Sequence, residues 1–97
     1  MRVISYKYIR EFIRVHPDSS VALRSWYHKL ERNMPAGLHE LKRVFPGVDY
    51  AGNNRYIFNI KGNKYRFVAL LIFDTQIAYI RFIGTHGEYD KINYKEI

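Results

Sequence analysis

The chain has 97 residues, 47% of them apolar, and it contains no cysteine. This length predicts a single domain that spans residues 1–97. The lack of cysteine excludes disulfides and thiolate metal sites and favours a cytoplasmic location. No apolar run approaches the roughly 18 residues that a membrane span needs, and the opening residues lack the apolar core of a signal peptide. We therefore expect no membrane contact.

The chain is strongly basic. Sixteen Lys and Arg residues against nine Asp and Glu residues give a net charge of +7. The excess is spread along the chain, with nine basic and five acidic residues at positions 1–54 and seven and four at positions 55–97. A folded body with this charge indicates a polyanionic partner, because neutralising phosphates releases their condensed counterions. A basic protein without such a partner is the alternative interpretation.

The first half of the chain predicts one strand and two or three helices. Met1–Ser5 is short and rich in β-forming residues, which indicates a first strand. Ser5 is the expected N-cap of the first helix. Pro17 and Asp18 are expected to end that helix and to cap the second. Apolar side chains recur at helical spacing in three groups: Ile9, Phe12 and Ile13; Leu23, Trp26, Tyr27 and Leu30; Leu38, Leu41 and Phe45.

The second half predicts strands, after a polar loop at Asp49–Asn54. The predicted strands are Arg55–Lys61, Lys64–Phe73 and Ile77–Ile83, with turns at Gly62-Asn63 and Asp74–Gln76 and a polar segment at Gly84–Lys91. Helices that precede a run of hairpins indicate an α+β fold. We expect an N-terminal strand and helices followed by an antiparallel three-stranded meander, with the helices packed on one face of the sheet. The first strand is expected to join that sheet.

The Gly62-Asn63 turn predicts which side chains share a face. A two-residue loop aligns the flanking residues in the pairs Lys61–Lys64, Ile60–Tyr65 and Asn59–Arg66. One face then carries the polar members of these pairs, and the other faces the helices. Lysines directly across a pair repel each other, so Lys61 and Lys64 either flank an anion or extend into water, and the second interpretation is favoured. Arg66 lies further inside the sheet, and there a function is favoured.

Two registers are open for Arg81. A three-residue loop at Asp74–Gln76 places Arg81 on the face of Phe67, and a four-residue loop places it on the face of Arg66. An arginine inside the helix-covered core needs a charged partner. The second register is therefore preferred.

His86 follows the last predicted strand, between Gly84 and Gly87, and is the only one of the four histidines outside the helical half. A histidine on a loop beside a basic strand face suits acid–base chemistry. A loop histidine without such a role is the alternative. No two histidines have the spacing of metal ligands with a carboxylate nearby. Neither a metal site nor another cofactor is predicted.

Two stretches of the second half resemble the HigB family of toxins. The first is residues 56–67, with the Gly62-Asn63 hairpin followed by Tyr65-Arg66. The second is residues 79–92, with the run Thr85-His86-Gly87-Glu88-Tyr89-Asp90. The earlier run of residues 41–46, Leu-Lys-Arg-Val-Phe-Pro, also matches. The resemblance covers nearly the whole chain, and the C-terminal half is its specific part.

The resemblance implies a RelE-like fold and an activity. Proteins of this kind cut messenger RNA without a metal, commonly on the translating ribosome. The resemblance also implies a HigA-type helix-turn-helix antitoxin as the partner that silences the toxin. Operator DNA is then a partner only through the toxin–antitoxin complex.

The resemblance further implies a site. Arg66 matches the strand arginine of RelE-like toxins, His86 falls near a second basic group, and Tyr89 is the nearest match to a C-terminal tyrosine. Ile57 and Asn59 stand where RelE carries lysines, so the general acid and base are assigned to His86 and Tyr89 in either order. The predicted catalytic residues are Arg66, His86, Tyr89 and Arg81; the predicted RNA-binding residues are Asn59, Lys61, Lys64 and Lys91.

Two other functions fit the same residues. A non-catalytic module that binds RNA or the ribosome would use the same basic face. A structural subunit whose only partner is the antitoxin would explain Val68, Leu70 and Ile72, which are apolar on an otherwise charged face. Coverage of these three side chains by another element of the same chain is the simpler interpretation.

Overall fold

Five strands form one sheet in the order β1-β5-β4-β3-β2, in a computed structural model that describes all 97 residues. The pairs β2–β3, β3–β4 and β4–β5 are antiparallel, and β1 runs parallel to β5. None of the helices is long and apolar enough to cross a membrane. The elements are β1 (Arg2–Ile4), α1 (Lys7–Val15), a 3₁₀ turn (Pro17–Ser19), α2 (Ser20–Glu31), α3 (Leu38–Val44), β2 (Asp49–Gly52), β3 (Arg55–Ile60), β4 (Tyr65–Ile72), β5 (Ile77–Thr85) and α4 (His86–Tyr89).

The main core lies between the first three helices and one face of the sheet, as the predicted α+β class requires. The helices contribute the apolar residues found at helical spacing, and the strands contribute alternate residues of β3, β4 and β5. Trp26 of α2 lies at its centre. Its ring centroid is 4.1 Å from that of Phe67 and 5.3 Å from that of Phe58. Fully buried Phe67 marks the middle of the sheet on this side.

A second, smaller core covers part of the opposite face. Val68 is fully buried there beside Ala51 and Ile57. The covering side chains come from the end of β5, from α4 and from the C-terminal segment: Phe82, Tyr89, Ile92, Tyr94 and Ile97. The Arg55 Nε donates a hydrogen bond to the main-chain oxygen of Ile97, at 2.9 Å, which ties this segment to β3. The expectation that the same chain covers Val68 is confirmed, while Leu70 and Ile72 are half-buried.

The hairpin between β3 and β4 has the predicted register but a different turn. Asn59 pairs with Arg66 and Ile60 with Tyr65. The loop has four residues, however, and Lys61 and Gly62 both adopt positive φ, 53° and 65°. Lys61 and Lys64 are joined only by a turn hydrogen bond of 3.2 Å from the Lys64 N–H to the Lys61 carbonyl. Both lysines turn away from the Arg66 face and bind the carboxylate of Asp18. The prediction that they share the face of Arg66 is wrong.

Asp18 does not cap α2 as predicted. That helix has no side-chain cap, and it continues from the 3₁₀ turn that holds Asp18. Its carboxylate instead accepts hydrogen bonds from Lys61, at 3.4 Å, from Lys64, and from the Tyr65 hydroxyl at 2.6 Å. These interactions, above all the one with Lys64, hold the pKa of Asp18 below its usual range. Asp18 therefore fastens the hairpin tip to the helices.

Two further predictions of local structure are wrong. Ser5 has a φ of 69° and does not cap α1, which begins at Lys7 without a side-chain cap. The predicted polar loop Asp49–Asn54 contains β2, so the antiparallel part of the sheet has four strands instead of three. Only Ala51 of that short edge strand is buried, which explains why the sequence lacks a clear strand pattern.

Arg81 fits neither predicted register. The loop between β4 and β5 has the four residues of the preferred interpretation, since Ile72 pairs with Ile77. A β-bulge follows, and Arg81 is the extra residue between the pairs of Ile80 and Phe82 with β4. Its guanidinium lies 5.6 Å from the Tyr79 ring and lines a groove beside α1. The preferred four-residue loop is confirmed, but the bulge leaves Arg81 without a register partner in β4.

Candidate functional site

Arg66 and His86 meet on the open face of the sheet. Arg66 lies in β4, with Asn59 of β3 on one side and Gly84 of β5 on the other. Its Nε donates a hydrogen bond of 3.1 Å to Nε2 of His86. Both side chains are half-buried. Residues 20 positions apart in the sequence are therefore joined directly.

Helix α4 presents His86 toward Arg66. The Thr85 hydroxyl accepts a hydrogen bond from the main-chain N–H of Glu88 at 3.2 Å, and the Glu88 carboxylate accepts one from the N–H of Thr85 at 2.8 Å. This reciprocal pair is a capping box. A helix of four residues has little stability of its own, so its caps and its packing on the sheet hold it. His86 is thus the first residue of a capped helix and not, as predicted, part of a loop.

The direction of this hydrogen bond defines the protonation state of His86. Arginine only donates hydrogen bonds, so Nε2 of His86 is the acceptor and its lone pair is engaged by Arg66. The imidazole in this arrangement is neutral, with its proton on Nδ1. An unprotonated ring nitrogen can accept a proton from a substrate hydroxyl once its lone pair is released by Arg66.

Tyr89 completes the cluster from the last turn of α4. The Arg66 Cζ lies 5.2 Å from the centroid of its ring, within the range of a cation–π interaction. Tyr89 also stacks on Tyr94 with ring planes 10° apart. Burial, and then the neighbouring Tyr94, raise the pKa of the Tyr89 hydroxyl, and Arg66 opposes this shift. The phenol therefore stays protonated at neutral pH and is a proton donor.

The other predicted site residues are spread around this cluster. Asn59 is exposed directly across the strand pair from Arg66, and Lys91 is exposed just beyond α4. Lys61 and Lys64 lie at the hairpin tip on Asp18, and Arg81 lies at the sheet edge. The structure thus brings together Arg66, His86 and Tyr89 with Asn59 beside them. It places Arg81, Lys61 and Lys64 elsewhere.

Gly84 is a residue that the sequence prediction missed. It lies across from Arg66, and a Cβ at this position would overlap the Phe82 ring and lie 2.9 Å from the Glu88 carboxylate. The absence of a side chain lets Phe82 and α4 pack down beside Arg66. One signal of α4 was present in the sequence, since Thr85 and Glu88 have the Thr-x-x-Glu spacing of a capping box.

This arrangement combines three chemical groups in one place. A guanidinium binds phosphate oxygens with directed N–H groups, a neutral imidazole accepts a proton, and a protonated phenol donates one. These groups lie on the exposed face of a basic protein with a net charge of +7. Together these three groups can bind a phosphodiester, accept a proton from one of its oxygen substituents and donate a proton to another.

Comparison with known proteins points to the same chemistry. The sequence model of the HigB toxins, described as the RelE-like toxic component of a toxin–antitoxin system, matches residues 19–92. The mRNA interferase toxin HigB of Escherichia coli K12 is 32% identical over 92 residues, which cover 93% of this chain and 88% of the relative. The mRNA interferase HigB of Escherichia coli O6:H1 (strain CFT073) is 29% identical over 100 residues, which cover 99% and 97%.

The fold and the matched residues define a RelE-like toxic component of a toxin–antitoxin system. Within that class, the chain belongs to the HigB toxin family. A protein of this family has an antitoxin as its partner. The matched range, residues 19–92, contains Arg66, His86 and Tyr89.

Gly84→Ala tests the packing that brings α4 to Arg66. We expect the free energy of unfolding to fall by about 1–3 kcal/mol, because the added methyl group displaces the Phe82 ring. Gly87→Ala is the matched control, since a Cβ there meets only the Thr85 hydroxyl, at 3.9 Å. Chemical denaturation measures both variants. Adding Phe82→Leu to Gly84→Ala should restore part of the loss. Equal stability of Gly84→Ala and the parent would contradict this account of the site.

Proposed function

We propose that this chain is an endoribonuclease that cleaves messenger RNA as the toxin of a toxin–antitoxin pair. The observation that carries the proposal is the 3.1 Å hydrogen bond between Arg66 and His86 with Tyr89 against the same guanidinium. A phosphate-binding cation, a proton acceptor and a proton donor within one cluster are what phosphodiester cleavage requires. The relatives' name, mRNA interferase, supports RNA as the substrate.

The proposed reaction uses the RNA's own 2′-hydroxyl as the nucleophile. The 2′-oxygen forms a bond to phosphorus as the bond from phosphorus to the 5′-oxygen breaks. The products are a 2′,3′-cyclic phosphate and a free 5′-hydroxyl, and no metal ion takes part in the step. DNA lacks the attacking hydroxyl, so only RNA is cleaved.

We assign the base to His86 and the acid to Tyr89. When phosphate oxygens engage the N–H groups of Arg66, the Nε2 lone pair of His86 is released to accept the proton of the 2′-hydroxyl. Tyr89, which is protonated at neutral pH, then donates its proton to the leaving 5′-oxygen. Arg66 stabilises the negative charge that gathers on the phosphate.

The remaining predicted residues hold the RNA on either side of the scissile phosphate. Asn59 and Lys91 flank the cluster on its exposed face, and Arg81, Lys61 and Lys64 lie farther out. Side chains away from the reacting atoms are suited to contact phosphates and so to orient the RNA strand. We therefore move Arg81 from the catalytic group to the RNA-binding group.

The partners follow from the family. We propose a HigA-type helix-turn-helix protein as the antitoxin, and operator DNA as a partner only through the toxin–antitoxin complex. We propose mRNA on the translating ribosome as the substrate, so the protein acts in the cytoplasm. We propose that residues 1–97 form a single RelE-like domain.

Arg66→Ala tests the cleavage reaction. We expect the rate of mRNA cleavage on translating ribosomes to fall by about 10²-fold or more, because one donor to the developing charge is lost. Arg43→Ala is the matched control, since it removes one exposed positive charge from α3. Mapping of RNA ends on a defined mRNA measures the rate and the end groups, and growth arrest in cells gives a second readout.

Three outcomes decide between the candidate functions. A 2′,3′-cyclic phosphate that disappears in a substrate with a 2′-O-methyl group at the cleaved nucleotide supports the proposal. Intact mRNA with slowed translation would instead identify a non-catalytic ribosome-binding module. A parent protein that neither cleaves mRNA nor associates with ribosomes, yet binds its antitoxin, would identify a purely structural subunit.

Tyr89→Phe tests the assignment of the acid. Cleavage of an ordinary mRNA should slow by about 10²-fold or more. An mRNA with sulfur in place of the leaving 5′-oxygen should be cleaved at nearly the parent rate, because a thiolate leaves without a proton. His86→Ala should be slow on both substrates. Equal slowing of Tyr89→Phe on the oxygen and sulfur substrates would show that Tyr89 is not the acid.

A further inference from the structure

The direction of the Tyr89 hydroxyl depends on the packing of its ring. Tyrosine hydroxyls make hydrogen bonds within the chain only at Tyr50 and Tyr65, so the hydroxyl of Tyr89 is free to meet a substrate but is not held in place by a bond of its own. Tyr89 is also the last residue of α4, a helix of four residues that has little stability of its own. The side chains around the ring therefore decide where its hydroxyl lies.

Three side chains surround the Tyr89 ring. The Arg66 Cζ lies 5.2 Å from the ring centroid, and the Phe82 centroid lies 6.4 Å away with the two ring planes at 53°. The Tyr94 centroid lies 5.2 Å away, with the planes only 10° apart. This is the one neighbour that presents a parallel flat surface, in the distance range of stacked aromatic pairs. Tyr94 therefore restrains the tilt of the Tyr89 ring most closely.

Tyr94 belongs to a C-terminal segment, residues 92–97, that is fastened to the sheet at its far end. The Arg55 Nε and Nη2 donate hydrogen bonds of 2.9 and 2.5 Å to the main-chain oxygen of Ile97. The apolar side chains of the segment, that of Tyr94 included, pack on the second core. The position of Tyr94 is thus set by β3 and by this core as well as by the connection to α4.

This anchor supports Tyr89 from a point outside the site. Arg55 is the register partner of Leu70, which lies four residues along β4 from Arg66. At the rise of a β-strand, four residues span about 13 Å. The segment crosses the second core between this anchor and α4, and Tyr94 reaches the cluster through the Tyr89 ring. A contact far from the scissile phosphate therefore bears on the position of the proton donor.

We propose that Tyr94 is a positioning residue, which holds the Tyr89 ring so that its hydroxyl reaches the leaving 5′-oxygen, and that Arg55 anchors the segment that carries Tyr94. The inference rests on the proposed function and extends it from the reacting groups to the segment behind them. Tyr94 takes no part in the proton transfer, so its ring is required and its hydroxyl is not. Misplacing a reacting group by about 1 Å can slow a reaction about 10²-fold, so the loss of this packing contact is measurable as a rate.

The oxygen and sulfur substrates that test Tyr89 also test Tyr94. Tyr94→Leu keeps an apolar side chain in the second core but removes the flat ring. We expect it to slow single-turnover cleavage of the ordinary mRNA about tenfold, because the acid is misplaced, and to cleave the mRNA with a 5′-sulfur leaving group at nearly the parent rate. Tyr94→Phe, which keeps the ring, is the matched control and should cleave both at nearly the parent rate.

Two kinetic results would contradict the proposal. If Tyr94→Leu shows no difference between the two substrates, the residue has at most a structural role. If Tyr94→Phe is as slow as Tyr94→Leu on the ordinary mRNA, the effect belongs to the hydroxyl and not to the ring.

Arg55→Gln keeps the test decisive if Tyr94→Leu fails to fold, because it leaves the stacked tyrosines in place and loosens only their anchor. It removes the guanidinium bonds to Ile97 and should slow the ordinary mRNA severalfold while the sulfur substrate is cleaved at nearly the parent rate. Arg43→Gln is the matched control, since it makes the same change at an exposed arginine of α3. Equal rates of Arg55→Gln on the two substrates, whether slowed or not, would overturn the role of Arg55 as the anchor.

A measurement without RNA separates failure of this inference from failure of the proposed function. Ring-current shifts of the Arg66 side-chain protons in an NMR spectrum report the position of the Tyr89 ring. We expect Tyr94→Leu to reduce these shifts and Tyr94→Phe to keep them. Reduced shifts in a protein that cleaves no RNA would reject the function and leave the positioning contact standing. Unchanged shifts in Tyr94→Leu, while the parent protein cleaves mRNA and Arg66→Ala does not, would overturn the inference and leave the function standing.

Discussion

The hydrogen bond between Arg66 and His86 is the interaction on which the site depends. It joins the middle of the sheet to a helix of only four residues. That helix is held by its capping box and by Phe82, which packs where Gly84 has no side chain. The bond also defines the chemistry, since the same contact that orients the imidazole keeps its Nε2 unprotonated.

The open face of the sheet is divided between packing and chemistry. Around Val68, the C-terminal segment buries apolar side chains in a second core. Toward the hairpin end of β4, the face stays open and carries Arg66 and Asn59. Tyr89 belongs to both parts, since its ring packs in the second core and also lies against Arg66. The stability of the tail and the geometry of the site are therefore linked.

The sequence predicted the parts of this arrangement that follow from local rules. The alternation of apolar and polar side chains, together with a Gly-Asn turn, was enough to predict that Asn59 pairs with Arg66. The class of fold followed from helices placed before hairpins. The failures depend on features that no local sequence pattern shows. Lys61 and Lys64 turn away from the face of Arg66 because they bind the carboxylate of Asp18. Asp18 lies 43 and 46 residues earlier in the chain. Arg81 is displaced by a bulge, which inserts one residue and shows no period of its own.

The central claim is tested most directly by the ¹⁵N NMR spectrum of the His86 side chain, recorded at a pH of about 8.5 so that ordinary histidines are neutral. The account predicts a proton on Nδ1 and a bare, hydrogen-bonded Nε2 in the parent protein, and loss of this tautomer preference in Arg66→Ala. A proton on Nε2 in both proteins would contradict it, because Arg66 would then have no acceptor on His86 and the imidazole would not be held as the base.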